Sequence, residues 1–485
     1  MTSELNGERQ KRASWSGQLA FVLAAAASAI GLGNLWRFPY LAAQYGGGTF
    51  IAVYLALVAT LGFALMLSEI AVGRMTRQAP LTAFSRLRRG WGFVGFLGTV
   101  VPVLIVPYYC VIGGWVLKYF VTYCRMALTG AQPMGEAAAQ SGAFFSSFIS
   151  SNFAPFGYGA VFVAACAAVI VFGVKNGIEK SNVAMMPLLF LLAVAISLYV
   201  VFLPGSGDGL KYYFVPSLSA LSGSDGAFSF AQLGRTVLGA MGQMFYSLSL
   251  AMGIMITYGS YMRREDSIEK CVRRIEIFDT AIAVIAGLMI VPVVYMFAVK
   301  TGTDVKEAMN AGPGLMFITL PKVFATLGGA GAWLGVAFFG LVIFAALTSA
   351  ISLYEACVAS VCDLLGVGRR PATFFIGTLV LFLSTFSALG YGAWKDVAPF
   401  GMPFLDFFDF TTNSVMMPVV AVSTCIAVGW AVKPEAVIDE VEACGSRFRA
   451  KRPYVFFVKY FAPVLMIALL VSEVCRALGI GGWKI

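Results

Sequence analysis

Residues 28–39 read Ser-Ala-Ile-Gly-Leu-Gly-Asn-Leu-Trp-Arg-Phe-Pro, inside an apolar run that begins near Trp15 and passes Tyr40. An ordinary membrane helix has no use for Gly31, Gly33, Asn34 and Arg37 at mid-depth. Glycine weakens the helix ladder, and a polar or charged side chain is costly in hydrocarbon unless paired or wet. Irregular backbone at that depth survives where it lines a cavity or is buried in protein. The stretch therefore predicts a broken helix. One half ends near Ala27–Ile30 with free carbonyls, and the other begins near Gly33 with free amides. Carbonyl ends attract cations and amide ends attract anions, so a mid-membrane site for a small zwitterion plus cations is expected. A Gly-rich helix–helix contact accounts for the glycines but not for Asn34 and Arg37.

Working outward, the 485 residues are 59% apolar and 12% charged, with a mean hydropathy of +0.83. That composition reads as a multi-span, all-α membrane protein. Histidine is absent, which excludes His-based triads, His proton relays and zinc sites that use His. The nine cysteines show neither metal spacing nor a disulfide framework. The polar stretch Met1–Ser14 carries no cleavable signal pattern, so the first span is expected to act as its own targeting signal.

Apolar runs of about 20 residues predict eleven spans: 16–42, 48–73, 92–125, 157–174, 182–203, 236–261, 275–299, 332–362, 372–391, 402–431 and 453–478. Lys and Arg cluster in the N-terminal tail (Arg9, Lys11, Arg12) and in the even-numbered loops, for example Arg86, Arg88 and Arg89, or Arg273 and Arg274. The odd-numbered loops are nearly bare. The positive-inside rule predicts a cytoplasmic N-terminus and an extracytoplasmic C-terminus in the plasma (inner) membrane. The net charge of +10 is thus topogenic, and nucleic acid is not an expected partner. The lipid bilayer is.

The sixth span carries a second interruption, Gln243 to Gly253. Two interrupted spans five apart are the pattern of an inverted five-plus-five repeat: residues 16–203, then 236–431, with 453–478 as an extra eleventh helix, all one transmembrane domain over 1–485. In the outer loop 300–331, apolar pieces on either side of Pro313 suggest a short helical hairpin capping a vestibule; a plain connector is the alternative. Gly177 and Pro187 both punctuate helices, so the start of span five either unwinds and admits water or is an ordinary helix start.

Several polar residues carry chemistry. Asp279, one turn into span seven, is a functional candidate by default, unless it snorkels beside Arg273 and Arg274. With Asn34 and Ser247 it supplies hard oxygen ligands for a small cation. Thr348 and Ser349 place adjacent hydroxyls mid-span. They either back-bond to the preceding turn or, facing the carbonyls of Ala27 and Ile30, form a second oxygen cage suited to Na⁺. Tyr109 has a phenol placed to meet a carboxylate, whereas Tyr108 reads as aromatic packing. Arg37 needs a membrane partner; Asp409 is the first candidate and Asp406 the next. Arg12 can pair with Asp363 at the opposite end. Both pairs must break for a path to open, which makes them gate candidates.

These motifs resemble one family, the neurotransmitter:sodium symporters, whose bacterial members transport amino acids on the LeuT fold. The handle is the run Gly31–Tyr40, followed by Gly46-Gly47-Gly48, Ser-Glu-Ile-Ala-Val-Gly-Arg around Glu69, Gly-Ile-Glu-Lys at 177–180, Gln243 to Ser249, Ala-Gly-Pro-Gly at 311–314 and Leu-Thr-Ser at 347–349. The chain looks closest to the eleven-span bacterial branch. The resemblance implies a secondary transporter, not an enzyme, with two sodium sites. The first would use Ala29, Asn34, Ser247, Asp279 and the substrate carboxylate. The second would use the carbonyls of Ala27, Ile30 and Ala345 with the hydroxyls of Thr348 and Ser349. The substrate would meet the backbone at Ala29, Gly31 and Gly33 and the side chains of Ile105, Tyr109, Tyr246, Ser247, Ser249, Met252, Ser349 and Leu353. Arg37–Asp409 resembles the outer gate. Arg12, Trp15, Tyr261 and Asp363 resemble the inner one.

Chloride-dependent members carry a neutral amide at the Asp279 position and a serine where this chain has Ala283, so chloride independence is expected. Met252 is a flexible thioether and favours a large apolar or aromatic amino acid. A proton-coupled or antiporting exchanger on the same scaffold is the alternative. An intramembrane aspartyl protease is not, because Asp279 and Asp409 are expected near opposite faces and cannot share a proton.

Overall fold

A computed structural model describes residues 12–130, 140–217, 221–222, 227–310 and 312–477. Arg9, Lys11, Ala311, Leu478 and parts of the loops 126–156 and 204–235 lie outside the described residues. The described chain is helical. Its elements are α1 (Gln18–Ala29), α2 (Gly33–Gln44), α3 (Gly48–Thr76), α4 (Pro80–Leu87), α5 (Gly92–Thr129), α6 (Gln140–Ile149), α7 (Ala154–Val171) and α8 (Val174–Val201). Then come α9 (Ser206–Phe214), α10 (Phe230–Ser247), α11 (Ile254–Ser260), α12 (Ile268–Thr301), α13 (Val305–Met309) and α14 (Leu315–Ala325). Last are α15 (Gly329–Leu365), α16 (Arg369–Leu389), α17 (Phe404–Val432), α18 (Pro434–Glu442) and α19 (Lys451–Ala477).

Among the described residues nine helices are long and apolar enough to cross a bilayer, and α1 with α2 makes a tenth span bent by 55°. Helices α10 and α11, 18 and 7 residues, separated by Leu248–Gly253, stand where the sixth span is expected. Both breaks fall where glycine and polar side chains interrupt the apolar pattern. Ile30 leaves the helix with ψ 97°, and Ser249, Ala251 and Gly253 adopt left-handed φ values of 53°, 59° and 70°. Two non-glycine residues in that region cost of order 1–3 kcal/mol each, so something outside the segment must hold them.

The broken spans occupy the centre. α1 is buried along nearly its whole length, while α7, α8 and α19 present most of their surface outward, with windows 33%, 33% and 22% buried. The expected loop hairpin is present as α13 and α14, tied by Thr319 Oγ1 donating to the Ala308 carbonyl at 3.1 Å. Phe317 of α14 packs among Trp115, Tyr119, Phe145 and Phe339, and its carbonyl accepts from Tyr119 Oη at 2.9 Å. Span five differs from the unwound alternative: α8 runs on past Gly177, opening with a wider π-helical turn over Val174–Glu179. Gly177 is there for close approach, since a Cβ would strike the Val169 carbonyl.

Candidate functional site between the broken spans

The two breaks face each other across a cavity of about 330 Å³ of empty space, margins included. Ten of the eleven expected substrate-contacting residues line it: Ala29, Gly31, Gly33, Ile105, Tyr109, Tyr246, Ser249, Met252, Ser349 and Leu353. The eleventh, Ser247, turns away toward Asp279. Ser28 and Ile254 also line the cavity, and sequence reasoning passed over both. The glycines are needed for space. A Cβ on Gly31 would lie 2.7 Å from Ser349 Oγ, and one on Gly33 would overlap the Tyr246 ring.

Polar contacts stitch the breaks to the flanking spans. The Leu32 amide donates to Tyr109 Oη at 3.4 Å, and Gln243 Nε2 donates to the Gly33 carbonyl at 3.2 Å. The Ser28 carbonyl accepts from Ser249 Oγ at 3.1 Å and from Ser349 Oγ at 3.0 Å. Ser349 also reaches the Ile30 carbonyl at 3.3 Å. Thr348 Oγ1 donates back to Phe344 and Ala345 at 2.9 and 3.1 Å, the back-bonding arrangement. A hydroxyl that donates this way keeps its lone pairs for a cation, so back-bonding and ligation are compatible.

On the other side of α2, Asp279 is fully buried and does not snorkel. Its carboxylate accepts from Asn34 Nδ2 at 2.8 Å, from Ser247 Oγ at 2.9 Å to each oxygen, and from Tyr54 Oη at 3.2 Å. Tyr54 gave no local signal in the sequence. The Asn34 oxygen accepts from the Gly31 amide at 3.2 Å, so the amide nitrogen faces Asp279. A cation beside Asp279 requires this amide to turn over, which an amide does by rotating about one bond. Among the described residues no three Cys, Asp or Glu side chains gather; one carboxylate with neutral oxygens suits a monovalent ion.

Glu69, of the motif Ser-Glu-Ile-Ala-Val-Gly-Arg, is a buried carboxyl group outside the expected site. It reaches from α3 to accept from the Ala251 amide at 2.7 Å, pinning the left-handed segment of span six. Its position in the middle of an apolar run was the available signal.

The two ends of the bundle differ. At the first, Arg12 pairs directly with Asp363, donates to Ser260 Oγ at 2.6 Å and stacks 4.8 Å from the Tyr261 ring. Asp363 also accepts from the Ala79 amide at 2.6 Å. Trp15 donates to the Tyr258 carbonyl at 3.1 Å. Burial works against the Arg12 charge, but Tyr261, Asp363 and Glu355 outweigh it, and its pKa is raised above the usual value. Arg369 clamps Glu355 through two contacts of 2.9 and 2.6 Å, and Tyr261 Oη bonds the same carboxylate.

At the second end the expected Arg37–Asp409 pair is not in contact in this conformation. Asp409 is taken by Asn413 Nδ2 at 2.6 Å and Tyr108 Oη at 3.2 Å, so Tyr108 does more than pack. Arg37 lies over the Tyr246 ring, 6.0 Å from its centroid. The predicted carboxyl neighbour Asp406 bonds Tyr391 instead. Tyr246 lines both the central cavity and a second one of about 350 Å³ at this end.

A helical bundle with two broken spans around a central cavity, latched at one end only, is a secondary transporter by architecture. The model of the sodium:neurotransmitter symporter family matches residues 12–139 and 158–481, and the chain belongs to that family. An uncharacterized sodium-dependent transporter of Bacillus subtilis is 32% identical, over 96% of this chain and 98% of its own. One of Haemophilus influenzae is 30% identical, over 96% and 98%. The crystal structure of MhsT in complex with L-phenylalanine superposes with a TM-score of 0.82 at 33% identity, covering 96% of this chain and all of that one. The fold is thus the LeuT-type five-plus-five inverted repeat with spans one and six broken. The protein is a sodium-dependent symporter of a membrane, not an enzyme.

Proposed function

We propose that the chain imports a hydrophobic amino acid, aromatic ones included, with sodium and without chloride. The observation that carries this is the central cavity: main-chain polar groups at both breaks, and Ile105, Met252, Ile254 and Leu353 on the remaining walls. In this reading the substrate carboxylate meets Tyr109 and the amides near Gly31 and Gly33, its amine meets carbonyls at Ala29 and Tyr246, and its side chain lies among the apolar walls. MhsT, with its bound L-phenylalanine, supports the substrate class.

Two sodium ions travel with the substrate. One takes Ala29, Asn34, Ser247 and Asp279, completed by the substrate carboxylate. The other takes Ala27, Ile30, Ala345, Thr348 and Ser349. The Asp279 carboxylate supplies the negative charge for which chloride-dependent relatives, such as the rat sodium- and chloride-dependent taurine transporter (24% identical), require an anion. The domain is one, 16–203 and 236–431 forming the repeats and 453–478 an addition. Loop charges put the Arg12 end at the cytoplasm and the Arg37 end outside. Arg12–Asp363 then closes the inner path, and Arg37 with Asp409 closes the outer one once substrate is in. Loaded ions and substrate all favour the occluded arrangement, so each tightens the others' binding.

Binding of tritiated leucine, phenylalanine and tryptophan to purified protein tests the reading, with choline replacing sodium and gluconate replacing chloride. Saturable binding that needs sodium and not chloride is expected. Binding that ignores sodium and follows a proton gradient in vesicles points instead to the proton-coupled exchanger, with Asp279 as the proton carrier.

A further inference from the structure

Arg37 makes no ion pair within 4.0 Å among the described residues. Asp409, its expected partner, already holds Asn413 and Tyr108. The second cavity, about 350 Å³, is lined by Arg37 and also by Glu473 of α19. Helix α19 is mostly exposed outward, yet Glu473 is turned inward: its side chain is 16% exposed and accepts from Ser414 Oγ at 3.0 Å. Its ion partner is Arg476, 41% exposed and three residues on. An i, i+3 pair whose cation is exposed contributes little and gives no reason for a carboxylate to face a cavity inside the membrane span.

We infer that Glu473 is a positioning residue for the gate. It supplies the counter-charge that draws Arg37 aside while the Arg37 end is open, and Arg37 exchanges it for Asp409 on closing. The inference rests on the proposed Arg37–Asp409 gate. A cation flanked by two carboxylates on different helices, α17 and α19, has two discrete resting places, which is what a two-state element requires. Removing one carboxylate must shift the balance toward the other arrangement. Glu473 therefore favours the open state and Asp409 the closed one, and their removal acts in opposite directions.

Hydrogen–deuterium exchange on the full chain in detergent with sodium reads this without knowledge of the substrate. The reporting amides are those of Phe245–Ala251, whose first two residues line the second cavity. Glu473→Gln is expected to slow their exchange roughly fivefold, Asp409→Asn to speed it, and Glu473→Asp, which keeps the charge, to restore the native rate. Arg476→Gln, which removes only the outer partner, is expected to leave the rate as it was. If Asp409→Asn moves the rate and Glu473→Gln does not, the inference is wrong and the gate stands. If Arg476→Gln reproduces Glu473→Gln, Glu473 is merely structural. If Asp409→Asn has no effect, the gate reading falls and takes the exchange of partners with it.

Discussion

The hydroxyl of Ser247 lies 2.9 Å from both carboxylate oxygens of Asp279, which ties the last turn of the first half of span six to span seven. That contact puts the negative charge of Asp279 within one side chain of the break in span six and, through Asn34, within one side chain of the break in span one. The charge serves both breaks at once.

Asp279→Asn removes that charge and keeps the shape. Sodium affinity is expected to fall about tenfold or more, and chloride to recover part of the loss by standing in for the carboxylate. Sodium titrations of substrate binding in chloride and in gluconate measure both effects. An unchanged titration in gluconate removes Asp279 from the sodium site.

Thr348→Ala with Ser349→Ala deletes two oxygens, that of Ser349 donating to the carbonyls of Ser28 and Ile30 and that of Thr348 back-bonded to Phe344 and Ala345. Sodium-driven uptake into proteoliposomes is expected to be lost while the protein still elutes as a folded species. Undiminished uptake eliminates the second sodium site.

Gly33→Ala places a methyl 2.3 Å from Cδ1 at the edge of the Tyr246 ring. Overpacking of a rigid site costs about 1–3 kcal/mol, here through displacement of the ring that roofs the cavity. The melting temperature is expected to fall, and substrate affinity to drop roughly tenfold or more because the displaced ring lines the cavity. A loss of thermal stability without a loss of affinity would mean that the ring is structural only.

Glu69→Gln retains an oxygen for the Ala251 amide, whereas Glu69→Leu leaves that amide buried without a partner at a cost of about 1–3 kcal/mol. Transport is expected to survive the first and fail with the second. If both variants fail alike, the charge of Glu69 matters and its hydrogen bond to Ala251 is not the whole of its role.

The breaks were legible because Gly31, Gly33, Asn34 and Arg37 violate the rule for an apolar span, and Ser247 with Gln243 do so more weakly in span six. Asp279, Thr348 and Ser349 stood out for the same reason. What could not be read were the partners. Tyr54 looks like any tyrosine of an apolar helix, and only the packing of α3 against α12 brings its hydroxyl to Asp279. Tyr108 likewise becomes a ligand of Asp409 through packing. The spacing of Gly177 and Pro187 marked a helix irregularity, but the glycine answers to the Val169 carbonyl beside it, a tertiary neighbour invisible from local pattern. Of the two carbonyls expected to face the hydroxyl pair, Ala27 and Ile30, Ser349 reaches Ile30 and also the Ser28 carbonyl one residue beyond Ala27, because the exact last turn of a helix is decided by its neighbours.

Helix α19 is only 22% buried across its most apolar window, the lowest of the nine single spans. Most of its surface therefore faces outward, and a span of that kind adjusts to a thicker or thinner hydrocarbon layer by tilting. Since Glu473 rides on that helix beside the Arg37 cavity, a tilt of α19 would move the carboxylate relative to Arg37, so the thickness of the surrounding hydrocarbon would bear on the exchange of partners inferred above.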